Sequence, residues 1–391
     1  MSVDFYRHQL GEDEATEWKK VIGTTFLTLG PQVAAFEQAL GQYLMRGRET
    51  ETSPAVIGTN SCSMGLLLAL RAFDVGEGDE VITTPMTFAS TTNAILLAGA
   101  TPIFVDVEPA TGLIDPNLVE AAITPKTRAI MPVHLYGQLA DMRSLSSIAE
   151  RHRLRVVEDS AHGIEIERDG IRPGQLGDAA VFSFYATKNL TSGDGGAIAT
   201  RHKEAAERLR RLRNHGVSKS ASDRHGGTYQ HWDLVELGYK ANLTDLDAAL
   251  LRIQLPKAEA KRDARESIAT RYESELLERI PALGESSQLG VSGLVSRSGK
   301  SSHHLFTIRP KSDKRDALLS YLGKRGIGTA VNYRAIHLLT YLQDRLRIPR
   351  GTLPIAEEIG DRTISIPMFP TLSESAQIEV ITAVAAGWNA S

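Results

Sequence analysis

Short apolar runs alternate with longer amphipathic stretches along most of the chain, and this rhythm predicts its elements. Residues 80–83, 102–105, 129–133, 155–158, 179–184 and 197–200 are compact apolar runs bounded by polar or glycine-rich breaks, as buried strands are. Helical spacing fills the intervals. Asp115 and Pro116 read as the cap and first residue of one helix. Asp141 opens another, with Leu145, Ile148 and Ala149 on one face. Strand and helix in alternation predict an α/β protein whose mainly parallel sheet is covered by helices on both faces.

A helical pattern runs from Asp245 to Glu278, interrupted at Pro256, and leads into a second unit. The expected division is a large domain over residues 1–250 and a smaller C-terminal α/β domain over 251–391. Residues 284–293 and 296–302 are rich in Ser and Gly and read as a mobile surface connector. Beyond them lie a predicted strand at 305–308, a helix at 313–324 and a closing helix after Ser373. No internal repeat or coiled-coil heptad is present.

Composition narrows the class. The 391 residues are 42% hydrophobic and 23% charged with a net charge of −3, ordinary for a soluble globular protein and without general attraction to nucleic acid or membrane. No apolar run is long enough for a bilayer, and the first residues lack a signal-peptide core. The single cysteine, Cys62, excludes an intrachain disulfide, and the expectation is a cytoplasmic protein. Cys62 reads as a small packing residue.

The candidate chemistry sits where predicted strands end. Val181, Phe182 and Phe184 lead to Lys188, with Gly193, Gly195 and Gly196 just beyond. A lysine held at a strand end is depressed in pKa by burial and becomes nucleophilic. Upstream, Val156 and Val157 lead to Glu158, Asp159 and His162. Alternation along the strand points the two carboxylates to opposite faces, and Asp159 is the one assigned to the crevice where parallel strands end. Its other reading is a turn or helix cap. The stretch from Gly58 to Gly65, with Ser61, Ser63 and Met64, opens an apolar helix; free amides there bind phosphate or serve an ordinary N-cap. After the strand at 80–83, Phe88 offers either a flat surface for an aromatic ring or core packing. A lysine, a carboxylate, a phosphate cradle and an aromatic face are what pyridoxal phosphate requires, since its chemistry needs a Schiff-base lysine and a protonated ring nitrogen.

In order, these pieces resemble the DegT/DnrJ/StrS family of sugar aminotransferases. The resemblance rests on Thr28 to Pro31 with Phe36 and Glu37, Gly76 to Val81, Gly99 to Asp106, Val133 to Gly137, Glu158 to His162 and Ser183 to Lys188, and spans nearly the whole chain. It implies the aspartate aminotransferase-like (type I) fold, pyridoxal 5'-phosphate as cofactor, and a homodimer with shared active sites. It also implies residue roles. Lys188 is the lysine that binds the cofactor and moves protons, and Asp159 pairs with the ring nitrogen. Phe88 stacks on the ring, and His162 lies near its hydroxyl. Ser183, Ser63 and Met64 hold the phosphate, and Asn242 reaches the phosphate of the neighbouring subunit.

The chain departs from the commonest pattern at Gly238, Tyr239, Lys240, Ala241 and Asn242, where many members carry Gly-Tyr-Asn-x-Arg, so that Lys240 stands in place of the Asn and Asn242 in place of the Arg. The Lys/Asn version is similar to a branch containing UDP-4-amino-4-deoxy-L-arabinose–oxoglutarate aminotransferases. Lys240 then becomes a candidate cation for the glutamate carboxylate. His162 in place of Gln leans toward amination at C4 of a nucleotide-linked keto sugar, with L-glutamate as donor. Tyr333 and His337 match the family's substrate-facing segment and are candidate substrate contacts. The alternatives are amination at C3 or of a keto-cyclitol, a lyase or aldolase using the same cofactor, and a cofactor-binding regulator without turnover. Lys188 disfavours the dehydratase branch, which has histidine there. His215, His225 and His231 are spaced by ten and then six residues, which matches no usual zinc pattern, so no metal is expected.

Overall fold

The computed structural model describes residues 2–46, 52–218, 231–284, 289–290 and 299–390. In chain order the strands are β1 (Ala55–Thr59), β2 (Glu80–Thr83), β3 (Thr101–Phe104), β4 (Thr127–Met131), β5 (Arg155–Asp159) and β6 (Glu167–Arg168). They continue with β7 (Ala179–Ser183), β8 (Gly196–Thr200), β9 (Leu289–Gly290), β10 (Gly299–Lys300), β11 (Phe306–Ile308) and β12 (Ile364–Ile366). Seven of them form one sheet in the order β1-β8-β7-β5-β4-β2-β3. Only β8 runs against its neighbours; β7, β5, β4, β2 and β3 pair in parallel. The sheet is thus mainly parallel, as the alternating pattern predicts.

Side chains of β7 and β8 divide between the two faces with the two-residue period of a strand. Val181 and Ile198 pack under the helix Cys62–Ala72, against Leu66 and Leu68. Ala180, Phe182, Ala197 and Ala199 face Phe36, Leu40 and Leu251, from the helices Pro31–Leu44 and Asp245–Gln254. Leu66, Leu68 and Leu70 are fully buried, each worth about 1.5–3 kcal/mol relative to exposure. Gly65 permits this packing, because a Cβ there would lie 2.6 Å from Val181 Cγ1.

Asp115 and Asp141 cap the helices Pro116–Val119 and Met142–His152, each accepting from a backbone amide of the first turn. The long pattern after Asp245 is two helices, Asp245–Gln254 and Ala258–Arg279, joined by a 3-10 turn at Leu255–Lys257 that contains Pro256. The expected division at residue 250 falls inside the first of these. A second core lies on β11 and β12 with the helices Ala258–Arg279, Ser312–Lys324 and Glu374–Ala390. The first residues belong to it: Val3 is buried there and its amide and carbonyl bond to Gly326 and Gly328.

Two readings are corrected. β1 falls in a segment assigned no strand, because Gly58 and Thr59 break its apolar run. Ser301 and Ser302, assigned to a surface connector, are buried; their hydroxyls donate to the carbonyls of Gly137 (3.0 Å) and His162 (2.7 Å). Most of that connector, like His225, lies outside the described residues. Among the described residues, no helix is long and apolar enough to cross a membrane.

Candidate active site

Chain segments leaving the carboxyl ends of β2, β4, β5 and β7 converge on one cleft, the position that parallel sheets reserve for ligands. The cleft encloses about 510 Å³ and is lined by Ser63, Phe88, Asp159, His162, Ser183, Lys188 and Tyr333, among others. Seven residues singled out from sequence therefore meet in one cavity.

Lys188 does not sit on β7 itself. The chain leaves β7, turns through a Lys188 N–H bond to the Tyr185 carbonyl at 2.9 Å, and returns to the sheet at β8. Burial lowers the Lys188 ammonium to about 8, against the opposing charge of Asp159. That leaves a usable fraction of neutral amine near neutral pH.

Asp159 closes β5. Its Oδ2 accepts from Thr91 Oγ1 at 2.7 Å, and its Oδ1 from the Ala161 amide at 3.1 Å. Burial raises its pKa, opposed by these two hydrogen bonds. Thr91 is itself 2.6 Å from Thr87 Oγ1, so a line of hydroxyls fixes the carboxylate. Glu158 faces the other way, as alternation requires. It accepts from His134 Nε2 (2.8 Å) and from the amides of Gly174 and Gly177.

His162 is buried with Nδ1 accepting from the Tyr136 amide at 3.1 Å and Nε2 at 3.0 Å from the Tyr333 hydroxyl. Burial, then the Lys188 charge, holds it well below the usual imidazole range. Phe88 is exposed at the start of the helix Ala89–Leu97, its ring 5.9 Å from that of Tyr333.

Ser61 caps the helix Cys62–Ala72 by accepting from the Met64 amide at 3.2 Å. Met64 N–H is thereby occupied, and its side chain packs against the core. The amides of Cys62 and Ser63 precede the first intrahelical bond and are the open donors of this end. Gly196 brings β8 against them, since a Cβ there would lie 2.5 Å from the Cys62 nitrogen. Cys62 is buried, with its thiol pKa raised by that burial.

Four candidates lie outside the cleft lining: Met64, and also Asn242, Lys240 and His337. Asn242 is nearly buried; with its amide turned to satisfy both ends, it donates to the Arg213 carbonyl (2.8 Å) and accepts from Lys240 Nζ (2.7 Å). Lys240 is exposed. His337 is buried against Glu357 at 3.0 Å. Sequence reasoning missed Thr91 and His304. Thr91 stands in the Phe88 motif, one helical turn beyond Thr87. His304 follows the serines taken for a surface connector.

These residues fit pyridoxal phosphate: an exposed aromatic face, a buried carboxylate, a lysine of lowered pKa and open amides at a helix start border one cavity. Fold and site together define a type I pyridoxal phosphate-dependent aminotransferase. Residues 8–385 match the DegT/DnrJ/EryC1/StrS aminotransferase family, and the chain belongs to it. It is 36% identical over 381 residues to the Bacillus subtilis spore coat polysaccharide biosynthesis protein SpsC, covering 96% of this chain and 94% of that one. Among solved structures, S. venezuelae DesV superposes with a TM-score of 0.84 at 35% identity, covering 96% and 94% of the two chains. NtdA from Bacillus subtilis, solved with bound cofactor PMP, superposes with a TM-score of 0.81 at 27% identity, covering 96% and 81%. The protein is a pyridoxal phosphate-dependent sugar aminotransferase.

Proposed function

We propose that this enzyme moves the amino group of L-glutamate to a nucleotide-linked 4-keto sugar, giving a 4-amino sugar nucleotide and 2-oxoglutarate. The observation that carries the reading is the pairing in one cleft of Lys188, lowered to about 8, with the buried carboxylate of Asp159. The name of SpsC refers to polysaccharide biosynthesis, which supports a sugar building block as product.

Bound pyridoxal phosphate supplies a carbonyl that condenses with amines and a ring that accepts the electron pair of a broken C–H bond. This chain supplies the rest. Lys188 Nζ holds the cofactor, takes the proton from the donor's Cα once displaced, and later delivers a proton to the sugar carbon. Asp159 would face the ring nitrogen and keep a proton there, with Thr91 fixing its direction. Ser63, Ser183 and the amides of Cys62 and Ser63 take the phosphate. Phe88 would cover one face of the ring, and Tyr333, paired with His162, would orient substrate.

The working unit we propose is a homodimer in the cytoplasm. Asn242 and Lys240 lie outside the lining of their own cleft and would serve the neighbouring one, with Lys240 as the cation for the glutamate carboxylate. Trp232, Leu234, Val235 and Leu237 leave apolar surface exposed nearby in sequence, which suits coverage by a second copy.

The test offers the holoenzyme L-glutamate together with UDP- and dTDP-linked 4-keto and 3-keto sugars. Released 2-oxoglutarate is measured and the product's amine located by NMR. Amine at C4 supports the proposal; amine at C3, or carbon–carbon cleavage, overturns it.

A further inference from the structure

Behind Lys188 runs a line of buried polar groups that the scheme above leaves unused. Lys188 Nζ is 3.4 Å from His304 Nε2, and the other nitrogen of that ring, Nδ1, is 3.3 Å from Asn189 Oδ1. Asn189 is fixed from its far side, where Nδ2 donates to both oxygens of Glu165 (3.3 Å each) and to the Ser302 carbonyl (3.2 Å). Arg265 holds the same two partners, donating to Glu165 Oε1 at 2.8 Å and to the Ser302 carbonyl at 2.7 Å. Glu165, Arg265, Ser302 and His304 are all buried.

Each group constrains the next. A carboxylate and a carbonyl only accept, so Asn189 must turn its NH₂ toward them and its oxygen toward His304. That oxygen only accepts, so the ring proton of His304 sits on Nδ1 and Nε2 presents a bare lone pair to Lys188. His162, whose ring centroid is 4.5 Å from that of His304, has the opposite tautomer because its Nδ1 accepts from a backbone amide. Burial, then the Lys188 charge, keeps His304 well below the usual imidazole range, so the lone pair persists at neutral pH.

We propose that His304 is a positioning residue for Lys188: its Nε2 takes one N–H of the amine, and Asn189, Glu165 and Arg265 lock the tautomer that makes this possible. The proposal rests on Lys188 being the reacting lysine. With one N–H directed at His304, the lone pair of the free amine lies on another side of Nζ, available to the cleft. The other groups facing Lys188 are the Asp159 carboxylate from β5, the Cys62 thiol, His162, and the Tyr333 hydroxyl from the C-terminal unit; burial keeps the thiol and phenol protonated.

The experiment titrates Lys188 in cofactor-free protein through its rate of acylation by an amine-reactive ester, followed by peptide mass spectrometry. The wild-type midpoint is expected near 8. His304→Leu removes an acceptor for the ammonium and should lower the midpoint by about one unit, a tenfold effect. His304→Gln, whose amide oxygen replaces the acceptor, should restore it. Asn189→Ala frees the tautomer and should shift the midpoint the same way by less, which decides the matter if the leucine variant does not fold. In the reconstituted holoenzyme the leucine variant should lose about tenfold in kcat, with KM for glutamate within about twofold. An unmoved midpoint in His304→Leu and Asn189→Ala, or an equal shift in the Gln and Leu variants, overturns the proposal. Failure of the Lys188 reading shows separately, as covalent cofactor attachment that survives Lys188→Ala.

Discussion

Thr91 donates its hydroxyl hydrogen to Oδ2 of Asp159 at 2.7 Å, so a helix that begins beside Phe88 determines how a carboxylate at the end of β5 faces the cleft. A hydrogen bond to a charged group is worth about 1.5–3 kcal/mol. Thr91→Val should lower kcat about tenfold or more, while Asp159→Asn should cost about a hundredfold or more because the preorganised charge itself is lost. Steady-state kinetics with L-glutamate, alongside fluorescence titration of cofactor affinity, separates the two effects.

Lys188→Ala should reduce turnover to background while cofactor still binds noncovalently, because the phosphate and ring contacts remain. Borohydride reduction followed by intact-mass measurement checks this: the wild-type chain gains the mass of the cofactor and the variant does not.

The lowered pKa of Lys188 has a definite sign. Its protonated form is unreactive, so capture of added cofactor by cofactor-free protein should accelerate about tenfold per pH unit below the midpoint and level off above about 8. Stopped-flow absorbance reads this. Because the folded value lies below the ordinary 10.5, the unfolded chain binds more protons between the two, and this group's contribution to stability rises with pH across that window.

His337 separates packing from recognition. It is buried and paired with Glu357, which also accepts from the amides of Gly351 and Leu353. His337→Ala should lower stability by about 1–3 kcal/mol and leave KM for the keto sugar within about twofold. Denaturant titration and steady-state kinetics on one preparation check both.

Arg265→Met strands the Glu165 carboxylate, which is fully buried, and should cost about 3–5 kcal/mol. Pairing it with Glu165→Gln should recover much of that loss, read as a denaturation midpoint.

How much of this was legible in sequence depended on distance along the chain. Strands of the large sheet announce themselves because burial on both faces makes them short continuous apolar runs, and Asp115 and Asp141 announce helices through local capping. Lys188 and Asp159 stood out because each follows such a run directly. β1 did not, since its glycine and threonine blur the run. His304 and the serines before it carry no local signal at all. Their burial is produced by Gly137, His162 and Arg265, each far away in sequence, and a Ser-rich stretch looks like surface until those partners arrive. Alternation told Glu158 from Asp159, but nothing local told that His337 turns toward Glu357.

The docking of Val3 between Gly326 and Gly328 has a consequence for synthesis. Val3 has no partner until Gly326 and Gly328, far downstream, have left the ribosome. At ordinary elongation rates that is on the order of half a minute, during which the large sheet has every strand it needs. Phe5 and Tyr6, which border a small cavity beneath Lys188, must wait with Val3. Val3 is therefore made before the strands of the large sheet and fastened after them, so the back wall of the lysine pocket is finished only once Gly326 and Gly328 have emerged.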